Sequence, residues 1–243
     1  MYQINIKIAD HSVRVETVHV RSMALCRPFF TEEAPEFLVR TDQADIDHAR
    51  SVYEGQYGET TLWDGSMETY ALHAKLSEKL VDHGVFLMHG AAVAHAGAAY
   101  LFSADSGTGK TTHVRIWRKN LPDAFVVNGD KPYILAGDAP TPMVYGSPWA
   151  GKENMYKNTG VPLRAIVLME RAEENSIQRI SFSEAFPGLL KQVYRPEDPD
   201  KMRETLKLLK SLDGRIRFYR FECNNFRDDC FKVAYSALAG SDQ

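Results

Sequence analysis

A short apolar run, a glycine-rich loop and an amphipathic segment follow one another near the middle of the chain. Residues 98–102 read Ala-Ala-Tyr-Leu-Phe, a run that is typical of a buried strand. The loop at residues 103–109 is rich in glycine, and residues 110–119 carry apolar side chains at helical spacing. This order of strand, loop and helix predicts an α/β unit, and no other feature of the sequence constrains its fold as strongly.

The chemistry of the same loop suits a polyphosphate. Glycine lets the backbone turn tightly and bring several N–H groups to one anion, and the positive end of the following helix points to the same place. Lys110 can reach the β- and γ-phosphate oxygens, and the Thr111 hydroxyl can bind Mg²⁺. The residues expected to hold the phosphates are Asp105, Ser106, Gly107, Thr108, Gly109, Lys110, Thr111 and Thr112.

The loop departs from the general phosphate-loop (Walker A) pattern G-x-x-x-x-G-K-[ST] at one position. Ala104 stands where the pattern has its first glycine, and Gly107 adds flexibility inside the loop. The alternative interpretation is a glycine-rich hairpin with a solvated lysine. That alternative does not explain why a strand, a loop and a helix occur in this order, so we favour a phosphate-binding loop.

Two further residues are candidates for the chemistry of the site. Asp130 follows the apolar run 125–127, which is the next predicted strand after the loop's helix, and its carboxylate can bind Mg²⁺ or accept a proton from a hydroxyl. The alternative is that Asn-Gly-Asp at 128–130 forms only a turn. His89 precedes Gly90 at the start of the hairpin that leads into the loop, and a structural role is equally compatible with this position.

A fourth element, residues 146–153, combines turn residues, an aromatic ring and two opposite charges in one loop. Lys152 can neutralise phosphoryl charge, and Trp149 can pack on a substrate. The alternative is a buried tryptophan beside a solvated pair of Lys152 and Glu153. Arg115, on the helix after the phosphate loop, is expected to lie on a solvated face.

Together these four elements resemble the superfamily of HPr kinase/phosphorylase and phosphoenolpyruvate carboxykinase. That family has a phosphate-loop variant close to G-x-S-G-x-G-K-[ST], and residues 104–111 are similar to it except at Ala104. Met88-His89-Gly90 matches the family's His-Gly before the loop. The resemblance covers residues 85–135, and residues 148–153 look more loosely like a loop of compact HPr-kinase-like proteins.

The resemblance implies a site for ATP and Mg²⁺. By position, Lys110 would hold the phosphates, Thr111 and Asp130 the metal, and His89 would lie near the transferred phosphoryl group. The family has two consecutive aspartates where this chain has Gly129 and Asp130. If metal binding and proton transfer need separate carboxylates, Glu153 is the candidate for the second one.

Three functions follow from this site. The first is a kinase that transfers the γ-phosphoryl group to a hydroxyl of a small molecule, a peptide or a protein. The second is a nucleotide-binding regulatory module that is catalytically weak because one acid is missing. The third is a carboxykinase, which ranks last because the family's carboxykinases are about twice as long. The sequence does not decide among ATP, GTP and pyrophosphate as donor, nor does it define the acceptor or the oligomeric state.

The composition of the chain excludes some other classes of partner. The 243 residues include 29 Lys and Arg against 32 Asp and Glu, a formal charge of −3 that argues against binding nucleic acid through bulk charge. We find no apolar run of membrane-spanning length and no signal peptide. An odd count of three cysteines without a C-x-x-C pair suits a reducing compartment, so the expected location is the cytoplasm. Cys223 and Cys230 are expected to be core residues.

The remaining patterns predict a mixed α/β (α+β) chain in two parts. Residues 1–80 are expected to form a small N-terminal α+β part, and residues 81–243 a nucleotide-binding domain with a core of the carboxykinase type. In the first part we predict strands over 2–8 and 13–20 joined by a turn at 10–12. In the second, Ser181 with Glu184 three residues later predicts a capping box at the start of a helix.

Overall fold

The computed structural model describes residues 1–224 and 228–239 and has two compact units, Met1–His83 and the described residues from Gly84 onward. Both units contain helices and sheet strands, so the expected mixed α/β class is confirmed. No helix within these residues combines the length and the apolar character needed to cross a bilayer.

The first unit is a three-stranded sheet accompanied by helices. Its elements are β1 (Tyr2–Ile8), β2 (His11–Thr17), α1 (Val20–Cys26), a 3₁₀ turn (Arg27–Phe29), β3 (Phe37–Arg40), α2 (Gln43–Tyr57) and α3 (Asp64–Val81). Strand β2 is central, antiparallel to β1 and parallel to β3. The side chain of Asp42 accepts a hydrogen bond from Asp45 N at the start of α2, and the Asp45 carboxylate accepts one from Asp42 N. This capping box fixes where α2 begins.

The turn between β1 and β2 differs from the sequence-based expectation. It is formed by Ala9 and Asp10, with φ of 49° and 68°, so β2 begins at His11. Two residues in the left-handed region give the kind of tight turn that matches the twist of a hairpin. The predicted second strand also ends early, because residues 20–26 form α1.

The second unit is built on nine strands among its described residues. In chain order its elements are β4 (Val85–Leu87), β5 (Ala91–His95), β6 (Ala98–Ser103), α4 (Lys110–Asn120), β7 (Phe125–Asn128), β8 (Tyr133–Leu135), β9 (Met143–Tyr145), β10 (Gly160–Arg171), β11 (Ser176–Ile180), α5 (Phe182–Gln192), α6 (Pro199–Lys210), β12 (Arg217–Cys223) and α7 (Asp228–Ala239). The main strand order is β4-β8-β9-β10-β6-β5-β7, and β12 joins β10 to β11.

Alternating side chains of this sheet pack against helices on its two faces. Phe102 and Phe221 belong to a buried cluster that includes Trp117 of α4 and Phe231 of α7. On the opposite face, Phe218 of β12 meets Phe182 of α5 with ring centroids 5.5 Å apart. Side chains alternate along β12, so consecutive residues of this strand pack on opposite faces of the sheet.

The capping box predicted at Ser181 is confirmed. The Ser181 side chain accepts from Glu184 N, and the Glu184 carboxylate accepts from Ser181 N at 2.8 Å. The two cysteines expected in the core are also buried, and Cys230 Sγ lies 3.6 Å from Nδ1 of the buried His113.

Candidate functional site

The site is positioned by three adjacent strands of the second unit. Strand β5 lies between β6 and β7 and is antiparallel to both, so the carboxyl ends of β6 and β7 and the start of β5 lie at one edge. The register pairs Ala91 with Phe102 and Ala92 with Asn128. The segments that continue from this edge are residues 104–109, 129–131 and 89–90, which are the segments singled out in the sequence.

The phosphate-binding candidate is a loop that ends in an uncapped helix. Helix α4 begins at Lys110, and its N-cap, Gly109, has φ 112° and no side chain to bond the first amides. The first backbone bond of the helix runs from His113 N to Gly109 O, so the N–H groups of residues 110–112 have no acceptor inside the helix. A helix end of this kind favours an anion.

Lys110 places its charge inside this loop. The residue is buried, and its Nζ donates to the carbonyl oxygens of Ala104 at 2.8 Å and Asp105 at 3.1 Å. Burial lowers the pKa of Lys110, and the negative charges of Asp130 and Asp105 oppose that shift in part. The ammonium group is thus held at the edge of the sheet by two carbonyl groups, within the electrostatic reach of Asp130.

Asp130 and His89 lie next to each other at the same edge. His89 Nε2 is 3.4 Å from Asp130 Oδ1, and both side chains are about a third exposed, at 30% and 31%. Burial works to raise the pKa of Asp130, but the bond with His89 and the positive charges of His89, Lys131 and Lys110 outweigh it, so the pKa lies below its ordinary value. The carboxylate is therefore ionised at neutral pH.

The turn that contains Asp130 is stabilised by hydrogen bonds to the side chain of Asn128. Its Oδ1 accepts from Asp130 N at 2.9 Å and from Lys131 N at 2.7 Å, and its Nδ2 donates to Ser147 O at 3.1 Å. An asparagine that bonds the backbone two residues on is a recognised turn device. The segment is thus both a turn and the support of an acidic side chain.

Gln192 connects the loop 104–109 to His89, a contact that the sequence analysis did not predict. Gln192 Nε2 donates to Asp105 Oδ1 at 2.8 Å, and Gln192 Oε1 lies 2.9 Å from His89 Nδ1. Because the Gln192 amide nitrogen faces a carboxylate, the amide oxygen faces His89 and accepts a hydrogen bond from its Nδ1–H group. A chain of contacts therefore runs from Asp105 through Gln192 and His89 to Asp130.

The loop 147–155 covers Asp130. A Cβ added to Gly151, which has φ +74°, would lie 3.0 Å from Asp130 Cβ and 3.3 Å from Asp130 Cγ. A Cβ added to Gly129 would lie 3.1 Å from Ala150 O and 3.4 Å from Met155 O. A second aspartate, at position 129, would therefore begin its side chain in tight contact with these two carbonyl oxygens, which would have to shift by a few tenths of an ångström.

The two charged residues predicted in this loop are both exposed. Glu153 pairs with Arg115 of α4, and Arg118 Nη1 lies 4.0 Å from Met155 Sδ, so the loop is attached to α4. Arg115 is exposed, as expected, but it has this partner. The Glu153 carboxylate forms an exposed ion pair with Arg115, and Lys152 lies on the surface of the loop.

The other predicted phosphate-binding residues surround the start of α4. Asp105, Ser106, Gly107 and Thr112 are exposed, whereas Thr108, Gly109 and Thr111 are half-buried. Gly107 has φ +80°, and its carbonyl oxygen accepts a hydrogen bond from Arg171 Nη2 at the end of β10. Arg171 is a second residue that the sequence did not point to, because its strand pairs with β6 only in the folded sheet.

A distant likeness links this chain to a solved structure. No protein-family model matches the chain, and no curated protein matches it. Among solved structures, an HPr(Ser) kinase/phosphatase from Coxiella burnetii is similar over 64% of this chain and 94% of its own, with a TM-score of 0.36 and 8% sequence identity.

Proposed function

We propose that this protein is a Mg²⁺-dependent kinase that transfers the γ-phosphoryl group of ATP to a hydroxyl of a small molecule, a peptide or a protein. The observation that carries the proposal is that Lys110, beside an uncapped helix end, lies at the same sheet edge as the ionised Asp130 and interacts with it electrostatically. A cation and free amides suit a polyphosphate, and a carboxylate suits a metal or a proton. In this proposal residues 81–243 form the nucleotide-binding domain, with a core of the carboxykinase type.

The roles of the residues follow from their placement. The amides of residues 106–111 and the Lys110 ammonium hold the phosphates, and Thr111 and Asp130 offer hard oxygen ligands to Mg²⁺. When bound, Mg²⁺ neutralises phosphate charge. Asp130, oriented by His89, takes the proton of the substrate hydroxyl while the oxygen of that hydroxyl bonds to the γ-phosphorus. The bond between that phosphorus and the bridging oxygen breaks, and ADP leaves. In this proposal Lys152, which is exposed on the covering loop, neutralises charge on the transferred group.

A nucleotide-binding module without efficient transfer is the second candidate function. It is favoured by the glycine at position 129, where the family has an acid and where an added Cβ would be in tight contact with carbonyl oxygens, and by the pairing of Glu153 with Arg115. With neither position supplying a free carboxylate, Asp130 alone has to serve both the metal and the proton. Such a protein would bind ATP and Mg²⁺ tightly but form ADP slowly.

The experiment that tests the proposal measures ATP binding and ADP formation with Mg²⁺ and pooled hydroxyl acceptors. We expect acceptor-dependent ADP formation in the wild-type protein, loss of ATP binding in Lys110→Met, and retained binding with at least about a hundredfold slower turnover in Asp130→Asn, since a positioned base contributes about 10²–10⁴ in rate. Lys207→Met removes an exposed lysine of α6 and is the matched control.

Each outcome has a distinct meaning. Tight ATP binding without turnover in any acceptor pool supports the module and refutes the kinase. Equal ATP binding by the wild-type protein, Lys110→Met and Lys207→Met refutes both functions, because the phosphate loop would then have no part in binding. Unfolding curves of the free variants separate loss of binding from loss of the fold.

A further inference from the structure

Three potential metal ligands meet in the first unit, which the proposed kinase site does not use. His11 is the first residue of β2, Glu36 immediately precedes β3, and His83 lies two residues after the end of α3. One ligand atom from each of the three side chains lies within 4.8 Å of the other two. The closest pair is His11 Nδ1 and Glu36 Oε2, 2.8 Å apart.

Backbone contacts fix two of these ligands relative to each other. Glu36 N donates to Ser12 O at 2.8 Å, and Ser12 N donates back to Glu36 Oε1 at 3.0 Å. The second bond occupies one carboxylate oxygen and leaves the other, Oε2, facing His11. A carboxylate that is oriented by a neighbouring N–H group is typical of metal ligands, because the outer bond holds the ligand in place.

The third ligand, His83, is held by ring stacking and by a backbone hydrogen bond at the end of α3. The His83 ring stacks on Phe37 with centroids 4.5 Å apart and an interplanar angle of 21°, and it lies 4.7 Å from the His11 ring. His83 N also donates to Leu80 O at 2.9 Å. The neighbouring cation, Lys79, has its Nζ 3.6 Å from Asp82 Oδ2. Each imidazole thus has a ring nitrogen within 4.8 Å of a Glu36 carboxylate oxygen, and Asp82 offsets the Lys79 charge.

We propose that His11, Glu36 and His83 bind a Zn²⁺-class dication that ties the β1–β2 hairpin, the segment before β3 and the end of α3 together. Two imidazoles and one carboxylate are a ligand set that suits Zn²⁺, whereas Mg²⁺ and Ca²⁺ prefer oxygen alone. Ligand atoms around a tetrahedral Zn²⁺ lie about 3.4 Å apart, so rotation of the side chains closes the remaining separation. A fourth position stays open to water, because the protein supplies three ligands.

The test uses the full-length protein after treatment with a chelator. Zn²⁺ is titrated by calorimetry, Co²⁺ is titrated by visible absorption, which reports the coordination geometry, and thermal unfolding is followed with and without metal. We expect one ion to bind per chain, Co²⁺ bands of a tetrahedral or five-coordinate site, and a higher unfolding temperature with Zn²⁺. Excess Mg²⁺ is expected to leave Zn²⁺ binding unchanged.

The decisive variant is His83→Phe, which keeps an aromatic ring to stack on Phe37 but removes the ligand nitrogen. We expect Zn²⁺ affinity to fall at least about tenfold to a hundredfold, the change seen even for outer-shell losses, while the metal-free protein unfolds at nearly the wild-type temperature. Glu36→Gln, which keeps an oxygen for Ser12 N, should show the same loss. His95→Phe, from the second unit, controls for general loss of an imidazole.

Two results would overturn the metal site. One is the absence of Zn²⁺ binding in the wild-type protein. The other is wild-type affinity in both His83→Phe and Glu36→Gln, since the ion would then be bound elsewhere in the chain, for example by the cysteines. Neither result depends on nucleotide binding, so the two proposals fail or stand separately.

Discussion

Replacing Gly151 by alanine tests whether the covering loop holds Asp130 in place. The backbone of Gly151 has φ +74°, a region that costs an L-residue about 1–2 kcal/mol. The new Cβ would also lie 3.0 Å from Asp130 Cβ, which is closer than van der Waals contact allows. Displacing a packed neighbour costs a further 1–3 kcal/mol or so. We therefore expect Gly151→Ala to lower the free energy of unfolding by about 2–5 kcal/mol.

Gly97→Ala separates the two contributions. Gly97 has nearly the same backbone, with φ +77°, but no atom lies within 4 Å of an added Cβ. This control carries the conformational cost alone, so the difference between the two variants measures the contact with Asp130. Urea unfolding followed by tryptophan fluorescence gives both free energies.

Function provides the second measurement for this variant. Because the contact pushes on the Asp130 carboxylate, Mg²⁺-dependent ATP turnover should fall in Gly151→Ala and stay at the wild-type level in Gly97→Ala. If the two variants lose equal stability and retain equal activity, the loop does not pack on Asp130 and this reasoning is refuted.

Two further substitutions test polar side-chain contacts, one in each unit. Gln192→Leu removes the shared partner of Asp105 and His89, and because both side chains are partly open to water we expect a loss of about 0.5–1.5 kcal/mol in urea unfolding. We also expect weaker ATP binding by calorimetry, and unchanged ATP affinity would show that the link has no role in the site. In the first unit, the Glu68 carboxylate is fully buried and accepts bonds from Val18 N, His19 N and the hydroxyls of Ser22 and Thr41. Glu68→Gln turns an amide N–H₂ towards these donors, so the free energy of unfolding in urea should fall by about 2–4 kcal/mol. A fall below about 0.5 kcal/mol would contradict the bonding pattern.

Local patterns predicted those features whose determinants are close together in the sequence. The strand, loop and helix around Lys110 follow from residues within one short segment, and the capping box needs only Ser181 and Glu184. The position of Asp130 after a buried strand was also accessible, because a strand's carboxyl end is where its sequence run stops.

Features that depend on chain segments far apart were not accessible in this way. Gln192 reaches His89 across 103 positions, and its sequence context is only the buried side of an amphipathic helix. The pairing of Glu153 with Arg115 and the group of His11, Glu36 and His83 likewise exist only after tertiary folding. The turn at Ala9 and Asp10 was misplaced because neither residue is a glycine, although both adopt positive φ.

The most direct test of the proposed kinase site is a crystal structure with Mg²⁺ and a non-hydrolysable ATP analogue. We predict that the phosphates contact the amides of residues 106–111 and Lys110 Nζ, and that Mg²⁺ lies between them and the Asp130 carboxylate. Lys110 would then exchange its bonds to the Ala104 and Asp105 carbonyls for phosphate oxygens. A nucleotide bound away from this sheet edge, with Lys110 still on those carbonyls, would contradict the account.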